Sequence, residues 1–318
     1  MLDYAIRRVL LLLPTLLVGS MVLFFSMRLL PPKDAVDLQL GEYAVEHPEA
    51  AVQARAELGL SGPLWQQYAR WATGFVTGDW GKSLQSRRPI MDELKNRIPV
   101  SFELSFFALL ITWTVSFPLG MLCGIFQDRM PDYVLRTGAY AIDAIPAFII
   151  GIILLTYMAV YFNWAPPTSY SYLWEDPVRH LKIMAFPTLV IAIGAAGNLI
   201  RFTRTFLLEV LRQDYMRTAR SKGLSEQTVM TRHALRNLAL PLVTIIGASI
   251  PALLTSSVII ETLFSLPGMG RYLVTAAGSL DYPVVMTTTM FFSIITLGTQ
   301  LVTDLSYAWI DPRVSYSR

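Results

Sequence analysis

Six stretches of the chain, at about 9–30, 102–126, 137–162, 183–203, 239–262 and 283–310, are apolar for about the length of a bilayer-crossing helix. A hydrocarbon core of about 30 Å needs about 20 such residues at a rise of about 1.5 Å each. The runs do not alternate apolar with polar, so they are not barrel strands. Composition points the same way. Of 318 residues, 53% are hydrophobic and only 15% charged, and the mean hydropathy is +0.46. A soluble fold has too few charges here to cover its surface, and a disordered chain is polar. The expected class is all-α: a polytopic membrane protein with six transmembrane helices.

The first run follows Arg7-Arg8 and ends at Leu29-Leu30-Pro31-Pro32. It is longer than a signal core and lacks a small-x-small cleavage site, so it reads as a retained span. Lys and Arg in the short loops set the orientation. Residues 201–236 hold Arg201, Arg204, Arg212, Arg217, Arg220, Lys222, Arg232 and Arg236, whereas 263–282 holds only Arg271. Arg7, Arg8, Arg129, Arg136, Arg313 and Arg318 fall on the same side as the basic loop. That side is expected to be the cytoplasm, with both termini inside. The organisation is then a first span at 1–30, a large extracytoplasmic segment at 31–98 and a five-span core at 99–318 that contains the inner loop 204–238.

In the outer segment, Pro48–Leu58 reads as a short helix stopped by Gly59. Trp65, Tyr68, Trp71 and Phe75 share one helical face, suited either to the headgroup level or to packing on the span mouths. Gly78-Asp79-Trp80-Gly81-Lys82-Ser83 imitates a phosphate-binding loop, but only two residues separate its glycines where four are needed. Gly120 and Gly124 make a Gly-x-x-x-Gly, which reads as ordinary close packing of helices.

Few residues invite chemistry. The single Cys123 lies in an apolar run and builds neither a disulfide nor a thiolate metal site. His47, His180 and His233 are far apart and fall on different sides, so no metal site is expected, and no nucleophile–base pair is evident. The net charge of +3 is too scattered to argue for nucleic acid. Asp143, Glu261 and Asp304 sit in or near spans, where a centred charge costs about 2.5–3.5 kcal/mol on insertion scales. Asp143, just before Ala-Ile-Pro146, is a candidate for lining a route through the membrane. Glu261 and Asp304 lie near span ends, where solvation or a local cap is the simpler use.

The stretch Gln213–Pro241 is the most informative. Asp214 is a suitable N-cap for a helix over 215–222, Gly223 a left-handed stop, and Ser225 the cap of a second helix running into the fifth span. A loop that served only to orient the protein needs arginines, not a cap, a helix, a stop and a second cap in order.

This loop resembles the inner loop of ATP-binding-cassette importer permeases. It is most similar to that of the dipeptide/oligopeptide/nickel permease family, in Asp214-Tyr215-x-Arg217-Thr218-Ala219-Arg220-x-Lys222-Gly223-Leu224 and Arg232-His233-Ala234-Leu235-Arg236-Asn237. Further marks follow the family in order: Leu58-Gly59-Leu60, Gly78-Asp79-x-Gly81-x-Ser83, Glu261 to Arg271, Asp281-Tyr282-Pro283 and Asp311-Pro312-Arg313. Arg217-Thr218-Ala219 stands where the broader permease consensus has Glu-Ala-Ala. The resemblance implies a permease subunit of an importer for di- or oligopeptides, in a prokaryotic inner membrane. It implies a second homologous permease, two cytoplasmic ATP-binding subunits and an extracytoplasmic substrate-binding protein as partners. ATP and Mg would be bound by those partners; no cofactor and no enzyme activity are expected of this chain. Asp214, Tyr215, Arg217, Thr218, Ala219, Gly223 and Leu224 are the implied ATPase-coupling residues, with Tyr215, Arg217, Thr218 and Ala219 as the docking face. Asp143 and Pro146 are candidates for the translocation path. The same architecture also suits a nickel chelate, glutathione or another small solute. A secondary transporter, or an intramembrane enzyme, is a lesser alternative.

Overall fold

The fold is described from a computed structural model, in residues 2–29, 36, 46–57, 59–167 and 169–310. Pro31, Pro32, Leu58 and the Asp311–Arg313 mark lie outside the described residues. Among the described residues the structure is helical, with one isolated antiparallel bridge between Lys82 and Pro89.

In chain order the helices are α1 (Leu2–Leu29), α2 (Pro48–Glu57), α3 (Leu64–Thr77), α4 (Ile90–Ile125), α5 (Met130–Asp143) and α6 (Ala147–Phe162). They continue with α7 (Pro177–Leu211), α8 (Asp214–Ser221), α9 (Glu226–Thr228), a π-helical turn at Val229–Ala234, α10 (Leu235–Leu263), α11 (Met269–Gly278) and α12 (Tyr282–Ile310). Five are long and apolar enough to cross a membrane: α1, α4, α7, α10 and α12. The sixth expected span is a pair, α5 and α6, bent by 90° at a short break. Pro146 heads α6 in an extended conformation and cannot continue α5. Pro146 therefore divides the expected span at 137–162.

α4 outruns its apolar window by far. α4 begins at Ile90, twelve residues before the apolar run at 102, because Asp92 and Glu93 favour its first turn and the pairs Lys95–Asp92 and Arg97–Glu93 stitch it. At 36 residues α4 is about 54 Å long, so part of it extends beyond a hydrocarbon core.

The chain divides into two spatial units, one of Ser101–Pro267 with Gly298–Arg318, the other of Leu2–Val100 with Gly268–Leu297. In the second unit the α3 aromatics pack on a span. Tyr68 and Trp71 lie 5.5 and 5.8 Å from the Phe24 ring of α1, and Tyr68 Oη is 2.8 Å from Ser20 Oγ. Phe75 stacks on Trp80, which meets Phe291 edge-on. Of the two expectations for this face, packing on the span is the one observed; only Trp65 stays largely exposed. The first turns of α4 join α11 and α12 through Ile90, Leu94, Met269, Tyr272 and Val284. Gly78-to-Ser83 forms a turn with Gly78 and Gly81 left-handed, and its Ser83 hydroxyl donates to Asp281.

The first unit is built on α7. Gly120 and Gly124 let α4 approach it: a Cβ at either would fall 2.6 Å from Thr203 or Leu207. The Gly-x-x-x-Gly is thus a close helix contact. Both contacts advance together along the two chains, so α4 and α7 run parallel. α5 runs antiparallel to α7, as the contacts 132–204 and 139–197 show. Glu261 departs from one of its two expected uses, solvation. It is fully buried, with Ser257 Oγ 3.1 Å from its Oε1, rather than solvated at a span end. A carboxylate at that depth is tolerated because it is hydrogen-bonded.

Candidate functional site

The inner loop is assembled from four short devices. Gln213, in extended conformation, heads α8. Asp214, expected as the cap, is instead the first helical residue. Its carboxylate still favours the helix N-terminus and stands 3.6 Å from the Arg217 guanidinium, both exposed. Gly223 stops the helix at φ +78, with nothing within 4 Å of where a Cβ would sit. Its constraint is therefore purely conformational: an L side chain is strained there whatever the space. Ser225 Oγ then accepts from Thr228 N at 3.4 Å and starts the second helix, as expected.

Packing welds these pieces into one body. Met216 and Ala219, three residues apart on α8, sink into a cluster with Leu207 of α7, Val229 and Ala234 of the π-helical turn, and Leu238 of α10. Across the Gly223 turn, the Arg220 guanidinium donates to both Glu226 oxygens, at 2.7 and 3.4 Å. Tyr215, Arg217, Thr218 and Leu224 remain exposed. Ala219 does not: it is 5% exposed and faces the cluster, so the exposed face consists of Tyr215, Arg217 and Thr218 without it. The methyl group that looked suited to close docking is used for internal packing instead.

The π-helical turn at Val229–Ala234 was not signalled by the sequence. It inserts a wider turn between the Ser225 cap and α10 and places both Val229 and Ala234 in the cluster, fully buried. Such turns are frequent at functional sites.

Beside the loop, within the same unit, lies a cavity of about 1200 Å³. Asp143 and Pro146, the two candidates for the route, both line it. So does Arg201, which sequence reasoning counted only among the orienting charges. Arg201 forms an ion pair with Asp143, donates from Nη2 to Asn198 Oδ1 at 2.7 Å, and lies over the Tyr140 ring at 4.8 Å. Nothing in their spacing, 58 residues apart, could have joined the two. The loop and the cavity share their supports. α7 carries both Arg201 of the wall and Leu207 of the cluster, and α10 carries both Leu238 of the cluster and Pro241 of the wall. Packed side chains thus connect α8 to two walls of the cavity.

On a second surface of this unit His180 is buried. Its Nε2 is 2.8 Å from Glu103 Oε1 and its Nδ1 is 2.9 Å from the Ser171 carbonyl. Burial and the neighbouring Glu103 push the Tyr170 phenol above its usual range, so it stays a neutral hydroxyl. These contacts tie Tyr170 and Ser171, just ahead of α7, to α4 and α7.

Helices long and apolar enough to cross a membrane, beside a lined cavity and packed on a two-helix inner element, are the architecture of a multi-pass membrane transport protein. Two family models match it along its length: the inner membrane component of binding-protein-dependent transport systems at residues 116–316, and the N-terminal part of such a membrane component at residues 1–105. The chain belongs to this family, the permease subunits of ATP-binding-cassette importers. It is 35% identical over 322 residues to the glutathione transport system permease protein GsiC of Escherichia coli (strain K12), covering 99% of this chain and 100% of that one. The GsiC of Salmonella paratyphi A is similar to the same extent. Among solved structures, the inward-facing MetNI methionine ABC transporter shares the fold, with a TM-score of 0.56 at 16% identity over 70% of this chain and 99% of that one.

Proposed function

We infer that this permease forms half of a translocation path for short peptides in a prokaryotic inner membrane, with both termini cytoplasmic. A second, homologous permease supplies the other half. Two cytoplasmic subunits bind ATP and Mg and perform the hydrolysis, and this chain has no ATPase site of its own. An extracytoplasmic binding protein delivers the substrate. The observation that carries this reading is the welded loop. An exposed face of Tyr215, Arg217 and Thr218 stands on a body packed into the same helices that wall the cavity. Closure of the ATP-binding subunits would push that face as a lever, with Gly223 fixing the angle between its halves.

A peptide substrate suits a cavity whose lining includes an acid–guanidinium pair, Asp143 and Arg201. A second reading, glutathione, is favoured by the full-length similarity to permeases named for glutathione transport; glutathione is itself a tripeptide. The test is uptake into proteoliposomes of the complete complex, with its binding protein outside and ATP inside. Labelled trialanine accumulating on ATP addition supports the peptide reading. Glutathione alone accumulating selects the second, and accumulation of neither rejects both.

A further inference from the structure

Two acid–arginine pairs join α5 to α7, and they are built differently. Asp132 is sealed. Its side chain is fully buried, takes two parallel bonds from Arg204 at 2.7 and 2.8 Å, and accepts the Asp128 amide at 2.9 Å. That pair needs nothing more and braces the helices. Asp143 and Arg201, by contrast, pair on the cavity wall: the Arg201 side chain is 26% exposed, whereas both Asp143 carboxylate oxygens are covered, so the guanidinium meets the cavity and the carboxylate is reached only when the pair parts.

The second pair is also held in place. At Gly197 a Cβ would fall 2.4 Å from the Ala139 carbonyl and 2.4 Å from Asp143 Oδ1, so only glycine lets α7 pass this close beneath the carboxylate. On the other side, Asn198 and the Tyr140 ring fix the plane of the guanidinium. Asp143 is the last residue of α5, next to the break that Pro146 makes, so its position is tied to the bend as well.

A charge pair in a membrane protein is costly when bare and tolerated when each member is covered. A zwitterion is the one kind of solute that can divide this pair without baring either charge. Its carboxylate takes the fork of Arg201, whose planar donors match two oxygens. Its ammonium takes Asp143. One internal ion pair is exchanged for two to the solute, while the solute gives up water for both ends. Such an exchange is nearly balanced, which suits a path that must release what it binds.

We propose that Asp143 and Arg201 form an exchangeable reading site for the two charged termini of a short zwitterionic peptide, with Arg201 on its free carboxylate. The assignment rests on the reading of the protein as a peptide importer and adds the group by which the permease itself, downstream of the binding protein, selects its solute.

The experiment compares labelled trialanine with its C-terminal amide in proteoliposomes of the complete complex, each at a concentration that saturates uptake. The ratio of the two maximal rates is read in wild type, Arg201→Gln and Arg201→Lys. Arg201→Gln is expected to lower the acid-to-amide ratio about tenfold, the scale of one charge-assisted interaction. Arg201→Lys, which keeps the charge but not the fork, is expected to lower it about threefold. Both rates falling by one common factor, with the ratio unchanged, makes the pair a brace only and overturns the assignment. If Arg201→Gln does not accumulate in the membrane, the lysine variant carries the same comparison with the same two outcomes. Wild-type complex that imports neither peptide overturns the peptide reading itself, and this assignment with it, whereas an unchanged ratio in an importing complex overturns only this assignment.

Discussion

Asp281 holds Ser83 from 198 positions away in the chain. The buried carboxylate accepts the Ser83 hydroxyl at 2.5 Å, the Leu84 amide at 3.1 Å and the Gln85 amide at 3.3 Å. The bond joins two short marks that look unrelated in the sequence, the Gly-Asp-x-Gly-x-Ser turn and the Asp-Tyr-Pro that opens α12. Ser83 Oγ in turn accepts the Ser86 amide at 3.0 Å, so one carboxylate organises the whole turn. Asp281→Ala strands the Leu84 amide and the Ser83 hydroxyl in a buried place, while the Gln85 amide keeps Ser83 Oγ at 3.2 Å. It is expected to cost roughly 2 kcal/mol or more, seen as a lower melting temperature of the purified complex. Unchanged melting contradicts the role.

Gly223 is the position where the inner loop depends on backbone conformation alone. Gly223→Val forces a β-branched residue to φ +78, a strain of roughly 1–2 kcal/mol that is relieved by changing the angle between the halves. Uptake is expected to fall about tenfold or more, by the usual conversion of such energies, with normal amounts of protein in the membrane. Gly223→Asn, which visits the left-handed region more readily, is expected to retain most of the uptake. Equal uptake in the valine variant and wild type, measured in proteoliposomes, contradicts the coupling role.

The two faces of α8 predict opposite phenotypes. Met216→Ala empties a fully buried site, and a truncation of that kind costs about 2–5 kcal/mol; the thermal stability of the permease should fall. Arg217→Ala touches only an exposed side chain and should leave stability within about 0.5 kcal/mol. It should instead weaken co-purification of the ATP-binding subunits. Melting curves and subunit stoichiometry, measured on the same preparations, separate the two.

Much of this was legible in advance because it is local. A membrane span is a length of apolar chain, and the turn at Gly223 and the cap at Ser225 are written in adjacent residues. What escaped is what depends on a partner far along the chain. Arg201 looked like an orienting charge because Asp143 is 58 positions away, and Ala219 looked exposed because the cluster that receives it comes from α7, the π-helical turn and α10. The bend at Pro146 was hidden for another reason. Prolines lie inside α1, α7 and α10 without breaking them, so a proline alone does not tell a kink from a division.

Asp132 and Arg204 offer a test of the brace. Removing one member leaves a buried charge unpaired, which costs about 3–5 kcal/mol, whereas replacing both by apolar residues of similar size is often nearly neutral. Asp132→Asn and Arg204→Met should each sharply reduce the folded protein recovered from membranes, and the double variant Asp132→Leu with Arg204→Met should recover much of it. A double variant as poor as either single one contradicts a purely bracing role.

The most direct measurement reconstitutes the permease pair in liposomes with its binding protein outside, with and without the ATP-binding subunits, and follows labelled tripeptide against a concentration gradient. With the ATP-binding subunits and internal ATP, the label should accumulate above its outside concentration. Without them it should not rise above equilibrium. Uphill accumulation by the permeases alone would mean that the loop is no lever and that the work enters through some other part of the molecule.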